Sequence, residues 1–262
     1  MAVSHYENFP VASLFLPAPL RAPIEVIYRF ARSADDFADE GEDAPDVRLK
    51  KLDAYRRQLA TPVEPLLHQV AKIIREHELP VELFADLLDA FAQDVTRKRY
   101  AAFADVLEYC RRSANPVGRL LLHLFKRTNE RELRESDAIC SALQLVNFWQ
   151  DVEVDYAKDR RVYLPQDEMV RFGVTERHLA EKVCDAAWRA LLAFQVERTR
   201  SLMLSGADLG NRLPGRIGLE IRATIQGGMR ILEKIERAGY DVFRRRPKLR
   251  ALDWPLVLLR AV

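Results

Sequence analysis

Glycine is scarce, 10 residues in 262, and no stretch alternates apolar and polar residues as a half-buried strand would. Those two absences argue against a turn-rich β fold. Cysteine is nearly absent. Cys110, Cys140 and Cys184 show neither C-x-x-C nor zinc spacing, so three buried, reduced thiols are expected. Neither sign of charge is in excess. The 41 basic and 39 acidic residues leave a net charge of +2, so nucleic acid is not an expected partner. No run reaches the roughly 18–20 apolar residues of a spanning helix. The nearest, WPLVLLRAV at residues 254–262, is short and reads as core rather than a membrane span, with a surface anchor as the alternative. The opening MAVSHYENFP lacks the basic and apolar regions of a signal peptide, so a cytoplasmic location is the expectation. No G-x-G-x-x-G follows a strand, and Gly206 and Gly210 are isolated, so NADPH is not expected.

What is present is helical periodicity. Segments 21–41, 46–59, 65–78, 80–98, 101–125, 131–157, 175–182, 185–204 and 216–238 each carry apolar residues at helical spacing, and prolines open several of them. Residues 209–214 read as a turn. The sixth segment's predecessor is interrupted at Ala114-Asn115-Pro116, where proline forces a kink. With no composition shift and no linker, the expectation is one all-α domain over 1–262, a bundle of long helices around a central cavity.

Within it, QLVNFWQDVEVDYAKDRRVYLP, residues 144–165, stands out. At about 100° per residue, Gln144, Asn147, Asp151 and Asp155 share one stripe, with Cys140 a turn earlier. Leu143, Val146 and Phe148 make the helix apolar elsewhere. Polar groups on a buried helix must be satisfied, and carboxylates one turn apart repel. A bound cation resolves both problems. A second pair, Asp35 and Asp39, lies in ARSADDFADE with Tyr28 and Arg32 on the same face. Two facing D-x-x-x-D pairs suit a cluster of Mg²⁺ ions bridged by a diphosphate, with Arg32, Arg160 and Arg161 near enough in sequence to hold phosphate oxygens. Departure of diphosphate would leave a carbocation needing an apolar, aromatic-lined cavity. Acidic helix faces are commonly just solvated. Asp53, Asp86, Asp89 and Asp94 are read that way, and Glu153 points off the stripe.

The blocks YRFARSADDFADEG and LQLVNFWQDVEVDYAKDRRVYLP, with HYENFPVASLFLP and IERAGYDVFRRRP, resemble the squalene/phytoene synthase family in order along nearly the whole chain. The resemblance implies the all-α isoprenoid-synthase fold. It implies Asp35, Asp39, Asp151 and Asp155 as catalytic Mg²⁺ ligands, with Asn147 supporting the second site. Tyr28, Arg32 and Gln144 would line the cavity, and Arg161 and Tyr163 match an R-x-Y that follows the second motif. His5, Asn8 and Arg245 would approach the diphosphate. Gln150 stands where members that join two prenyl diphosphates carry Arg, and Asn115 where they often carry Gly. NFWQD and SANPVG resemble the hydroxysqualene synthase branch, a carbon–oxygen lyase activity that ionises presqualene diphosphate and quenches the cation with water. The rival expectation is a prenyltransferase joining two farnesyl or geranylgeranyl diphosphates. From other classes, the chain could be a non-catalytic helical scaffold or a peripheral binder of the inner membrane surface through RRRPKLR.

Overall fold

In a computed structural model, residues 17–39 and 43–262 are described. The chain runs through α1 (Ala18–Asp39), α2 (Pro45–Arg57), α3 (Pro65–His77), α4 (Val81–Thr96), α5 (Phe103–Ser113), α6 (Asn115–Leu124), α7 (Glu130–Asp159), α8 (Gln166–Phe172), α9 (Glu176–Ala180), α10 (Ala186–Gly206), α11 (Leu209–Arg212), α12 (Gly215–Arg237) and α13 (Trp254–Ala261). Among the described residues there is no strand, only an isolated bridge between Arg99 and Val162. The all-α fold follows.

Several starts are set by proline. Pro45, Pro65 and Pro116 occupy first-turn positions of α2, α3 and α6, where a missing N–H costs nothing. Helix α1 begins earlier than its sequence suggests, which moves Pro23 out of the first turn and into the helix. Its apolar positions Ile24, Ile27, Phe30, Ala34 and Ala38 are buried at helical spacing. Residues 166–172, which lie between the expected helical segments, form α8, and the expected turn at 209–214 contains α11.

Two apolar clusters make the core. In the first, Phe30 stacks on Tyr55 and meets Phe84 edge-on, both at 5.2 Å, with Leu67 and Leu120 beside them. The second is built on α7 and holds Trp149, Trp188, Leu145 and Leu232. Fully burying such a side chain contributes about 1.5–3 kcal/mol. Helix α1 packs on α2, α3 and α4, whereas α7 packs mainly on α10, α6 and α12. At the α7–α10 crossing, a Cβ on Gly206 would lie 2.3 Å from the Glu135 carbonyl oxygen, so only glycine permits this approach.

Helix α7 has 30 residues, a rod of about 45 Å. The Asn129 side chain caps its start, accepting from the Glu132 N–H at 2.9 Å. At its end Arg160 adopts φ 54°, and its N–H returns to the Asp155 and Tyr156 carbonyls. That reversal sends the chain back along the bundle, where the Val162 N–H bonds the Lys98 carbonyl at 3.0 Å. Arg161 and Tyr163 are thereby turned inward.

Candidate active site

A cavity of about 430 Å³ lies where the two clusters meet. Helix α1 contributes Ile24, Ile27, Tyr28, Arg32, Asp35 and Asp39 to its wall, and α7 contributes Cys140, Leu143, Gln144, Asn147, Phe148, Asp151 and Asp155. The two polar stripes therefore face one space. Residues early in both helices make an apolar compartment with Val117 and Leu121, and those late in both make an acidic rim. Lys158 of α7 reaches Asp39 of α1 at 3.1 Å, which joins the helices at that rim.

The rim is electrostatically tight. Arg32 pairs with Asp35 at 3.0 Å and Asp36 at 2.8 Å. Arg161 donates to Asp159 at 2.8 Å and to the Asp94 carbonyl at 2.9 Å, and lies 3.5 Å from Asp39. Arg246 forks onto Asp151. Burial, then the neighbouring Asp39, push the Asp35 carboxyl up to about 6 against the pull of Arg32. Burial, then Asp151, push Asp155 up to about 7 against Arg161. At Asp39 burial acts upward too, but Lys158 and Arg161 outweigh it and hold the carboxyl below its ordinary range. Burial works against the Arg161 charge, yet Tyr163, Asp94 and Asp39 keep it more basic than usual.

Aromatic rings floor the cavity. Phe148 stacks on Tyr163 with centroids 3.6 Å apart, and Tyr109 lies 5.7 Å from Tyr163. Burial raises both tyrosine hydroxyls well above their ordinary range, so they stay protonated. Phe91, Ser113 and Ala114 complete this side, the last two at the break between α5 and α6. Asn115 just beyond is buried and accepts a hydrogen bond from Ser141 at 2.8 Å.

Asp94 corrects the sequence reading, which puts it on the surface. It is buried in the cavity wall, takes the Tyr109 hydroxyl proton donor at 2.8 Å, and faces Arg161 at 3.6 Å. Its other carboxylate oxygen has no hydrogen-bond partner. Burial lifts its carboxyl to about 7, with Arg161 and Tyr109 opposing. The signal was present: Leu83, Leu87, Ala90 and Asp94 recur at helical spacing on the buried face of α4.

Arg245 is a second correction. It is exposed, and its neighbour Arg246 turns in to Asp151. Arg160 is exposed over the Tyr156 ring and is not a wall residue. Gln150 is buried, but neither of its amide atoms has a partner and it does not line the cavity. Glu153 pairs with Lys182 at 2.8 Å, off the stripe. Cys110 and Cys140 are buried and free, while Cys184 is partly exposed. His5 and Asn8 lie outside the described residues.

Among the described residues, no three His, Cys, Asp or Glu side chains converge on one point in this arrangement. The donor set nonetheless fits a hard divalent cation. The rim offers carboxylate and amide oxygens without sulfur or imidazole, and burial with a neighbouring aspartate disfavours the ionised forms of Asp35 and Asp155, which a bound cation would restore.

The squalene/phytoene synthase family model matches residues 2–253. A hydroxysqualene synthase of Rhodopseudomonas palustris is 35% identical over 82% of this chain and 74% of its own. A 15-cis-phytoene synthase of Synechococcus elongatus is 30% identical over 97% and 89%. The crystal structure of a squalene synthase from Alicyclobacillus acidocaldarius superimposes with a TM-score of 0.83 at 36% identity, covering 90% of each chain.

Proposed function

The chain belongs to the squalene/phytoene synthase family, and from that premise we propose that it converts presqualene diphosphate to hydroxysqualene, releasing diphosphate. The observation that carries this reading is the polarity of the cavity. The carboxylates that α1 and α7 bring to it lie late in both helices, and the apolar lining they bring lies earlier, as a diphosphate joined to a large hydrocarbon requires.

Asp35, Asp39, Asp151 and Asp155, with Asn147, would hold Mg²⁺ at the rim. Bound Mg²⁺ supplies charge neutralisation that makes diphosphate a better leaving group. Arg32, Arg161 and Lys158 present cationic donors to the diphosphate oxygens. Tyr28 and Gln144 shape the wall between rim and compartment. The carbon–oxygen bond breaks, and its electron pair leaves with diphosphate. The cyclopropylcarbinyl cation formed is held against the faces of Phe148, Tyr109 and Tyr163 while it rearranges. The apolar wall excludes stray water until one molecule adds to the cation and loses a proton. Water and substrate give alcohol and diphosphate, so the balance needs no reductant such as NADPH.

A second reading is condensation of two prenyl diphosphates, favoured by the similarity to a phytoene synthase over nearly the whole chain. One assay separates them. Purified protein with Mg²⁺ is given farnesyl diphosphate alone, geranylgeranyl diphosphate alone, or presqualene diphosphate. Hydroxysqualene from the last alone is the expected result. Consumption of either prenyl diphosphate with no use of presqualene diphosphate would replace this reading with the second.

A further inference from the structure

Helix α13, expected to be core with a surface anchor as the alternative, buries only Val257 and Ala261. Leu252 is 91% exposed, Leu259 76%, Val262 96%, Trp254 49% and Leu258 40%. At about 100° per residue, Leu252, Pro255, Leu258, Leu259 and Val262 share one outward arc, away from Val257. The inward side is anchored firmly on α12. Buried Asp253 receives Arg230 at 2.8 Å and also pairs with Lys234, Arg260 pairs with Glu233, and Arg222 bonds the Ala261 carbonyl. The outward apolar arc is therefore held on a fixed support rather than on a loose end.

Charge selects what could cover it. Asp253 is the one acidic residue between 242 and 262, and it is buried and neutralised. Arg244, Arg245, Lys248 and Arg250 lead into α13, and all four are exposed. An apolar arc flanked by exposed cations, with the adjoining Asp241 and Glu233 already paired to Arg244 and Arg260, is complementary to anionic headgroups above acyl chains. We propose that α13 with the basic segment before it is a docking surface for an anionic phospholipid bilayer, the helix lying in the plane of the interface. The same segment carries Arg246 to Asp151 at the cavity rim, so docking would fix the rim relative to the membrane. The inference stands apart from which diphosphate the cavity takes.

The three tryptophans give a built-in reporter. Trp149 and Trp188 are fully buried, and only Trp254 meets solvent. The full chain is mixed with vesicles of phosphatidylglycerol and phosphatidylcholine, or of phosphatidylcholine alone, and co-sedimentation and tryptophan emission are followed. Binding to the anionic vesicles with a blue shift, weakened by salt and weak on phosphatidylcholine, is expected. Leu252→Asp with Leu259→Asp should lower partitioning by about tenfold or more without changing the melting temperature, because both residues are exposed. Arg244→Gln with Lys248→Gln should lower it on anionic vesicles only. Absence of binding to either vesicle overturns the proposal, as does binding that the leucine pair leaves unchanged. A dimer that the leucine pair abolishes, with no vesicle binding, would overturn it in favour of a second copy of this chain.

Discussion

Arg246 and Asp151 meet through two parallel hydrogen bonds, Nε to Oδ1 and Nη2 to Oδ2, the second at 2.8 Å. A guanidinium fork of this kind is among the stronger polar contacts a protein makes. It links the segment after α12 to the rim of the cavity on α7. It also occupies a carboxylate assigned above to Mg²⁺, so the two compete. Arg246→Gln should then bind Mg²⁺ more tightly in the absence of substrate, by about tenfold, while losing about 1–2 kcal/mol of stability in chelator. Titration calorimetry with Mg²⁺ alone and a melt in chelator read the two effects. Unchanged or weaker Mg²⁺ binding would mean that the fork does not guard the metal site.

Burial, and then a neighbouring aspartate, push the Asp35 and Asp155 carboxyls up to about 6 and about 7. A divalent cation at this rim would favour their ionised forms and so be stabilised by binding there. Mg²⁺ should therefore raise the melting temperature of the wild-type protein, and Asp155→Asn should abolish most of that rise. Turnover of the diphosphate substrate should fall by about 10²-fold or more in the same variant. A variant that kept both the Mg²⁺-induced rise and full turnover would remove Asp155 from the metal site and favour the non-catalytic scaffold for this helix face.

The buried carboxyl of Asp94 gives a pH dependence whose sign is fixed by its direction of shift. Its value rises from 3.8 to about 7 on folding, chiefly through burial. The folded chain thus binds this proton more strongly than the unfolded one. The contribution to stability is complete below about pH 4 and is lost as pH rises through about 7. Asp94→Asn cannot ionise but can still accept from Tyr109, and Arg161 keeps Asp159 as a partner at 2.8 Å. The melting temperature of the variant relative to wild type should rise by a few degrees between about pH 5 and pH 8, measured in chelator. A flat difference, or one that falls with pH, would place the charge of Asp94 in better company than the cavity wall offers.

Much of this site was legible because it lies on helices. The Cys140, Gln144, Asn147, Asp151, Asp155 stripe needs only a helical period, and all five residues line the cavity as that period requires. Tyr28, Arg32, Asp35 and Asp39 follow the same rule on α1. Asp94 escaped because its type outweighed its spacing: a carboxylate on a core face was read as surface. Arg246 escaped for another reason. It sits in a non-helical stretch, where no period tells which of three consecutive arginines turns inward. Core and surface anchor stayed open for α13 because apolar composition identifies what prefers to leave water and does not identify what covers it.

Gly206 tests how the frame of the site is set. Two effects of Gly206→Ala oppose each other. Alanine favours the helical conformation of α10 by up to about 1 kcal/mol. Its methyl group, however, would sit 2.3 Å from the Glu135 carbonyl oxygen and 2.9 Å from Ile139 Cγ1 on α7. The carbonyl belongs to a helix backbone and cannot rotate away, so the clash should win, at about 1–3 kcal/mol. The melting temperature should fall by about 2–10 °C. Gly173→Ala is the companion measurement, because at φ 72° it has nothing within 4 Å of the added carbon and costs only the left-handed backbone, about 1 kcal/mol. Because Glu135 lies on the same rod as Asp151 and Asp155, a forced separation at Gly206 should also loosen Mg²⁺ binding at the far end, whereas Gly173→Ala should leave it alone. A Gly206→Ala protein as stable as wild type would show that α7 and α10 can slide apart freely, and that their close crossing does not hold the metal-facing stripe in place.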